Sequence, residues 1–151
     1  MPQPLPSLFG RFTAILRDHD HLAQTLRELR VMCAAIADGR DALPSELAPA
    51  RLIGELRDDL AEHFEAEESD EYFGVVVDEE PALRSQIAAL KWEHLAMLRA
   101  VDALVRLAED RSRWPQLPLP TRDLISQLER HERAESVLLR NLFSSAAGRE
   151  K

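Results

Sequence analysis

Cysteine is almost absent from this chain. Cys33 is the only one in 151 residues, so no internal disulfide is available and packing must hold the fold. Aromatic residues are 5% of the composition, and no alternating strand-like run stands out apart from the short Val75-Val76-Val77. No apolar run approaches the roughly 20 residues that a membrane span needs. The opening residues, Met1-Pro2-Gln3-Pro4-Leu5-Pro6, lack the basic-then-apolar pattern of a secretory signal. Basic charge is also short. Nineteen Lys and Arg face 27 Asp and Glu, a net charge of -8, which disfavours nucleic acid and anionic membrane surfaces as partners. These absences predict a soluble cytoplasmic protein. A length of 151 residues suits one domain, 1–151, with a real core.

What is present is helical rhythm. In the first segment apolar residues recur at Leu8, Phe12, Ile15, Leu22, Leu26, Leu29, Cys33 and Ile36, in alternating steps of four and three. The series skips one position, and His19 fills it. A second, shorter series runs Ile53, Leu56, Leu60, His63, Glu67. The third runs Leu83, Ile87, Leu90, His94, Met97, Val101, Leu104, Ala108. The fourth runs Leu124, Leu128, His131, Glu135, Leu138, Leu142. This spacing is the core-facing period of bundled helices. The predicted architecture is all-α, an antiparallel up-down four-helix bundle with helices at about 7–38, 50–72, 81–111 and 121–145. Ser7 is a predicted N-cap, Gly39 a C-terminal turn, Pro81 a first helical position and Thr121 a second N-cap. Trp114 to Pro120, with three prolines, is expected to interrupt the helices.

Ionisable groups are costly to bury unless something pairs with them. His19, His63, Glu67, His94, His131 and Glu135 all fall on seams, and a metal pair at the bundle centre accounts for all six at once. His63-x-x-Ala66-Glu67 repeats as His131-x-x-Ala134-Glu135. Each copy follows a helix with one inward histidine, so the chain reads as two helical hairpins carrying equivalent groups. A histidine and a glutamate four apart share one helix face. Imidazole and carboxylate without thiolate suit iron or manganese, with zinc possible. In this arrangement His19 and His63 hold one ion, His94 and His131 hold the other, and Glu67 and Glu135 bridge them. A solvent-derived bridging oxygen then leaves each ion five-coordinate, with a position open to a small ligand. A lone seam histidine is more often a hydrogen-bonded core residue, but two such pairs plus two further inward histidines reverse that balance.

These motifs resemble the hemerythrin-like, or HHE cation-binding, family. Asp18-His19-Asp20-His21-Leu22, His63-x-x-x-Glu67-Glu68, the lone His94 and His131-x-x-x-Glu135 carry the resemblance, which spans roughly Leu8 to Phe143. It implies a bundle with a carboxylate-bridged pair of iron ions, oxo- or hydroxo-bridged, and a function among oxygen carriage, oxygen or redox sensing, nitric oxide stress and iron–sulfur repair. The oxygen carriers have a second histidine on the third helix, where this chain has Leu90 and Leu98, and their fourth-helix carboxylate stands one residue farther from its histidine. The four-histidine, two-glutamate set is more similar to the di-iron domain of the iron–sulfur repair proteins, without their cysteine-bearing N-terminal domain.

The expected function is therefore binding or sensing of dioxygen or nitric oxide, or iron handling in stress. The alternative is an enzyme reducing peroxide or nitric oxide. A metal-free helical adaptor is a third reading. The ferritin-like pattern, glutamate followed three later by histidine, does not occur at any seam histidine: Leu16, Leu60, Lys91 and Leu128 stand there. His21, Glu68 and Glu132 are candidates for the layer just outside the ligands, Glu68 and Glu132 by bonding imidazole N–H groups. Tyr72, five after Glu67, is within reach of the cluster edge but is expected mainly to pack, Cys33 to be a buried structural thiol, and Trp92 to point away from His94. The oligomeric state is left open.

Overall fold

Helix accounts for nearly all of the residues that the computed structural model describes, which are 5–40 and 42–149, with side chains at 13–15, 17–40 and 42–144. The helices are α1 (Leu5–Ala37), α2 (Pro49–Glu67), α3 (Phe73–Glu79), α4 (Arg84–Ala108) and α5 (Pro118–Arg149), with 3-10 turns at Ser45–Leu47, Pro81–Leu83 and Arg111–Gln116. No strand occurs among the described residues, so the all-α expectation holds. The four long helices pack in a ring, α1 on α2, α2 on α4, α4 on α5 and α5 on α1.

Local chemistry sets the ends. Gly39 has φ 73°, and the Gly39 and Arg40 amides donate to the Ile36 and Ala35 carbonyls at 3.0 and 3.3 Å. That pair of bonds is the Schellman closure, and its left-handed residue favours glycine, as expected from Asp38-Gly39. At the far end of α4 the Trp114 indole donates to the Ala108 carbonyl at 2.9 Å, satisfying a carbonyl the helix leaves open.

Three expectations about boundaries are corrected. The second helix does not reach residue 72. It stops at Glu67, Ser69 Oγ donates to the Ala66 carbonyl at 2.7 Å, and Tyr72 leaves helical geometry with φ -124° and ψ -82°. The segment expected to be a connection containing a strand-like valine run instead forms α3, which buries Phe73, Val75 and Val76. Burial outweighs the β preference of the valines. The last helix begins at Pro118 rather than at Thr121. Prolines in a first turn lack only N–H groups that have no helical partner anyway, and Thr121 is buried inside the helix. Ser7 lies within α1, but its side chain is outside those described, as are those of Leu8 and Phe12.

Two apolar clusters fill the interior. One joins Leu22 to Cys33 of α1 with Leu52, Leu56, Leu60, Met97, Leu104 and Leu128. The other joins Ile15, Tyr72, Phe73, Ile87, Leu90 and Leu138. Each long helix has a histidine at or next to the boundary between them. His19 stands between Ile15 and Leu22, His94 between Leu90 and Met97, and His131 between Leu128 and Leu138, while His63 follows Leu60 near the end of α2. The polar groups thus form a layer across the bundle, walled above and below by hydrocarbon. Cys33 is fully buried in the first cluster.

Candidate metal centre

Helical spacing delivers the site's side chains to one plane, and the structure brings them together. His19 Nε2 and His63 Nε2 are 3.1 Å apart, and His94 Nε2 and His131 Nε2 are 3.0 Å apart. Between these pairs lies the Glu67 carboxylate, fully buried. Its Oε1 is 2.5 Å from His63 Nε2, and its Oε2 is 3.2 Å from His94 Nε2 and 4.0 Å from His131 Nε2. Two triads follow, His19–His63–Glu67 and Glu67–His94–His131, each offering ligand atoms within 4.8 Å of one another. Glu67 belongs to both. Glu135 stands at the edge of the second triad, its Oε2 3.8 Å from His131 Nε2 and its Oε1 accepting from the Tyr72 hydroxyl at 3.0 Å.

Both Glu67 oxygens and Glu135 Oε2 are buried without a hydrogen-bond partner. The nearby imidazole nitrogens lie 2.5–4.0 Å from these oxygens. Orphaned buried carboxylate oxygens are rare because of their cost, and a cation removes that cost. The donor set therefore fits a metal.

Charge at the centre is uneven. Burial pulls the Glu67 pKa upward, but the four surrounding imidazoles overcome it and hold this carboxyl well below its ordinary value. Glu135 goes the other way. Burial first, then the neighbouring Glu67 charge, push it up to about 9, against the opposing Tyr72 hydrogen bond. Burial first, then the Glu135 and Glu67 carboxylates, raise Tyr72. His63 and His131 are raised as well. Burial disfavours their charged form, and Glu67, with Asp18 for the one and Glu93 for the other, more than compensates.

Aromatic rings fix the imidazoles. Phe64 of α2 stacks on His94 with centroids 3.9 Å apart and planes 10° from parallel, and Phe73 of α3 lies near-parallel to the same ring at 5.9 Å. Beside His63 lies a cavity of about 90 Å³ lined by Asp18, His21, Leu22, Asp59, Glu62 and His63.

The sequence reading missed several contributors. Tyr72 packs, 1% exposed, and also reaches the cluster edge, where it donates to Glu135. Glu93 contacts His131 Nδ1 at 2.6 Å and Asp18 lies 3.7 Å from His63 Nδ1. Both stand immediately before a seam histidine, a repeated acid–histidine pair that the sequence displays openly. Glu68 lies 3.5 Å from His94 Nδ1. Glu132 shares a cavity with His19. His21 sits at the surface, its Nε2 3.1 Å from Asp59 Oδ2, and Trp92 is 71% exposed.

A family model, the hemerythrin HHE cation binding domain, matches residues 11–142. The chain belongs to this family. Comparison with curated proteins and with solved structures gives no match. Membership makes this hemerythrin-type chain a cation-binding protein, and the two triads are residues that can hold the cation. No helix among the described residues is long and apolar enough to cross a membrane.

Proposed function

We propose that the chain is a single hemerythrin-like domain, an antiparallel up-down bundle of α1, α2, α4 and α5 that holds two iron ions and binds a small ligand such as dioxygen or nitric oxide. His19 and His63 serve one ion, His94 and His131 the other, and Glu67 and Glu135 stand between them. The observation that carries this reading is the shared carboxylate: one fully buried glutamate completes both histidine pairs. A single-ion site has no use for two converging triads. Nitrogen and oxygen donors without sulfur favour iron or manganese, with zinc compatible.

Bound iron supplies an open coordination position and an electron source for a diatomic ligand. The protein's own part is to hold the imidazoles, keep their Nε2 lone pairs inward and restrict water. Phe64 and Phe73 clamp His94, and Leu60, Leu90 and Leu138 wall the layer.

The test uses half-site variants. His94→Ala with His131→Ala is expected to lower bound iron from two per chain to one, and His63→Ala with His131→Ala to remove most of it. Unchanged iron in the second variant would leave the metal-free adaptor as the better reading. Iron-loaded protein is expected to take up one nitric oxide per centre. Consumption of nitric oxide or hydrogen peroxide far beyond one equivalent would replace binding by enzymatic reduction.

A further inference from the structure

The histidines turn their Nε2 atoms toward one another, so their Nδ1 atoms look outward. Three of these outward sides face a carboxylate from a neighbouring element, hydrogen-bonded at His131, while the Nδ1 atoms of His63 and His94 are buried without a hydrogen-bond partner. Asp18 of α1 lies 3.7 Å from His63 Nδ1 of α2. Glu68, just past α2, lies 3.5 Å from His94 Nδ1 of α4. Glu93 of α4 contacts His131 Nδ1 of α5 at 2.6 Å. Glu132 of α5 closes the circuit, since it lines one cavity with His19 of α1 and has a buried oxygen without a hydrogen-bond partner. The order is cyclic, α1 to α2 to α4 to α5 and back to α1. It also respects the repeat: Asp18 and Glu93 immediately precede His19 and His94, and each reaches the histidine of the next long helix.

We propose that Asp18, Glu68, Glu93 and Glu132 form a ring of positioning carboxylates, each acting on the histidine of the next helix around the bundle. An ionised carboxylate only accepts hydrogen bonds, and a neutral imidazole carries one N–H. A carboxylate on the outer face therefore keeps the proton on Nδ1 and leaves the Nε2 lone pair directed inward, where a metal needs it. It also ties each ligand to the adjacent helix, so orientation is set by the helix interfaces and not by rotamer preference alone. Glu93 and Asp18 side chains are 49% and 59% exposed, so replacing them removes little packing. The inference rests on the metal-binding reading, and the test separates the two.

Glu93→Ala, Glu93→Gln and Asp18→Asn are compared with wild type and with Glu65→Gln, which removes a charge from the exposed face of α2. The first readout is ¹⁵N NMR of the ring nitrogens in metal-free protein, at a pH where the rings are neutral. Wild type and Glu93→Gln, whose amide oxygen still accepts, are expected to show His131 with the proton on Nδ1. Glu93→Ala is expected to lose that preference, and Asp18→Asn, whose side chain faces His63 and not His131, to leave it unchanged. The second readout is zinc(II) affinity by competition with a chromophoric chelator, expected to fall about 10–100-fold in Glu93→Ala and not in Glu65→Gln. An unchanged His131 tautomer in Glu93→Ala, or equal zinc affinity in Glu93→Ala and Glu65→Gln, overturns the ring. If wild type binds no zinc, the metal reading fails while the tautomer measurement still decides the ring.

Discussion

At the level of single residues the two glutamates of the repeat are chemically unlike. Glu67 is ringed by imidazoles and stays ionised, whereas Glu135 faces that charge in a buried position and retains its proton up to about pH 9. The sign of the consequence is fixed. A carboxyl raised above its ordinary value of 4.5 contributes stability that is fully present below that value and is lost as pH rises through its folded one. The raised pKa values of His63 and His131 act in the same sense above 6.5. The metal-free protein is expected to lose stability steadily from about pH 5 to pH 9, read as a falling urea midpoint, and the metal-loaded protein is not. A metal-free midpoint that rises over that range contradicts the assignment. Tyr72→Phe tests the partner. Removing a hydrogen bond to a charged group costs about 1.5–3 kcal/mol, which makes Glu135 harder to ionise. The pH of half-maximal metal binding is expected to move up by about 1–2 units, and no movement would deny Tyr72 its role.

Among the elements, α3 explains most of what the sequence concealed. The seam series stood in plain view because heptad-like spacing survives in any bundle helix, and they located His63, His94 and His131 in the interior, with His19 half-buried against His63. The break after Glu67 did not, because it depends on Ser69 reaching back to Ala66 and on Tyr72 turning inward, both tertiary choices. Without that break Tyr72 could not meet Glu135, nor Phe73 the His94 ring. The start of α5 was obscured for another reason: proline reads as a breaker wherever it falls, although in a first turn it is harmless. Phe73→Ala is expected to cost about 3–5 kcal/mol, measured by urea unfolding, and to loosen His94. A cost near zero would make α3 an accessory rather than a wall of the site. Gly39→Ala forces a side chain into a left-handed turn and is expected to cost about 1–2 kcal/mol.

Taken as a whole, the molecule is a polar layer between two apolar clusters, and its stability is tied to whatever neutralises that layer. Surface pairs such as Arg57 with Asp102 at 2.7 Å or Arg30 with Glu129 contribute about 0–1 kcal/mol each, so the layer dominates the electrostatic balance. A ligand bound only by the folded state adds about 2.7 kcal/mol at a hundred times its dissociation constant, so metal removal is expected to lower the thermal midpoint by several degrees, reversibly. The repeated His-x-x-x-Glu pattern made the buried histidine and glutamate cluster readable from the sequence, but the carboxylates around it come from neighbouring helices and needed the fold to be seen. The central claim, a two-ion centre, is tested most directly by counting metal in untagged protein reconstituted anaerobically with iron(II), with its optical spectrum after oxidation. About two irons per chain, with the near-ultraviolet absorption of a coupled ferric pair, is the predicted result. One ion or none, under conditions where the protein remains folded, would contradict it.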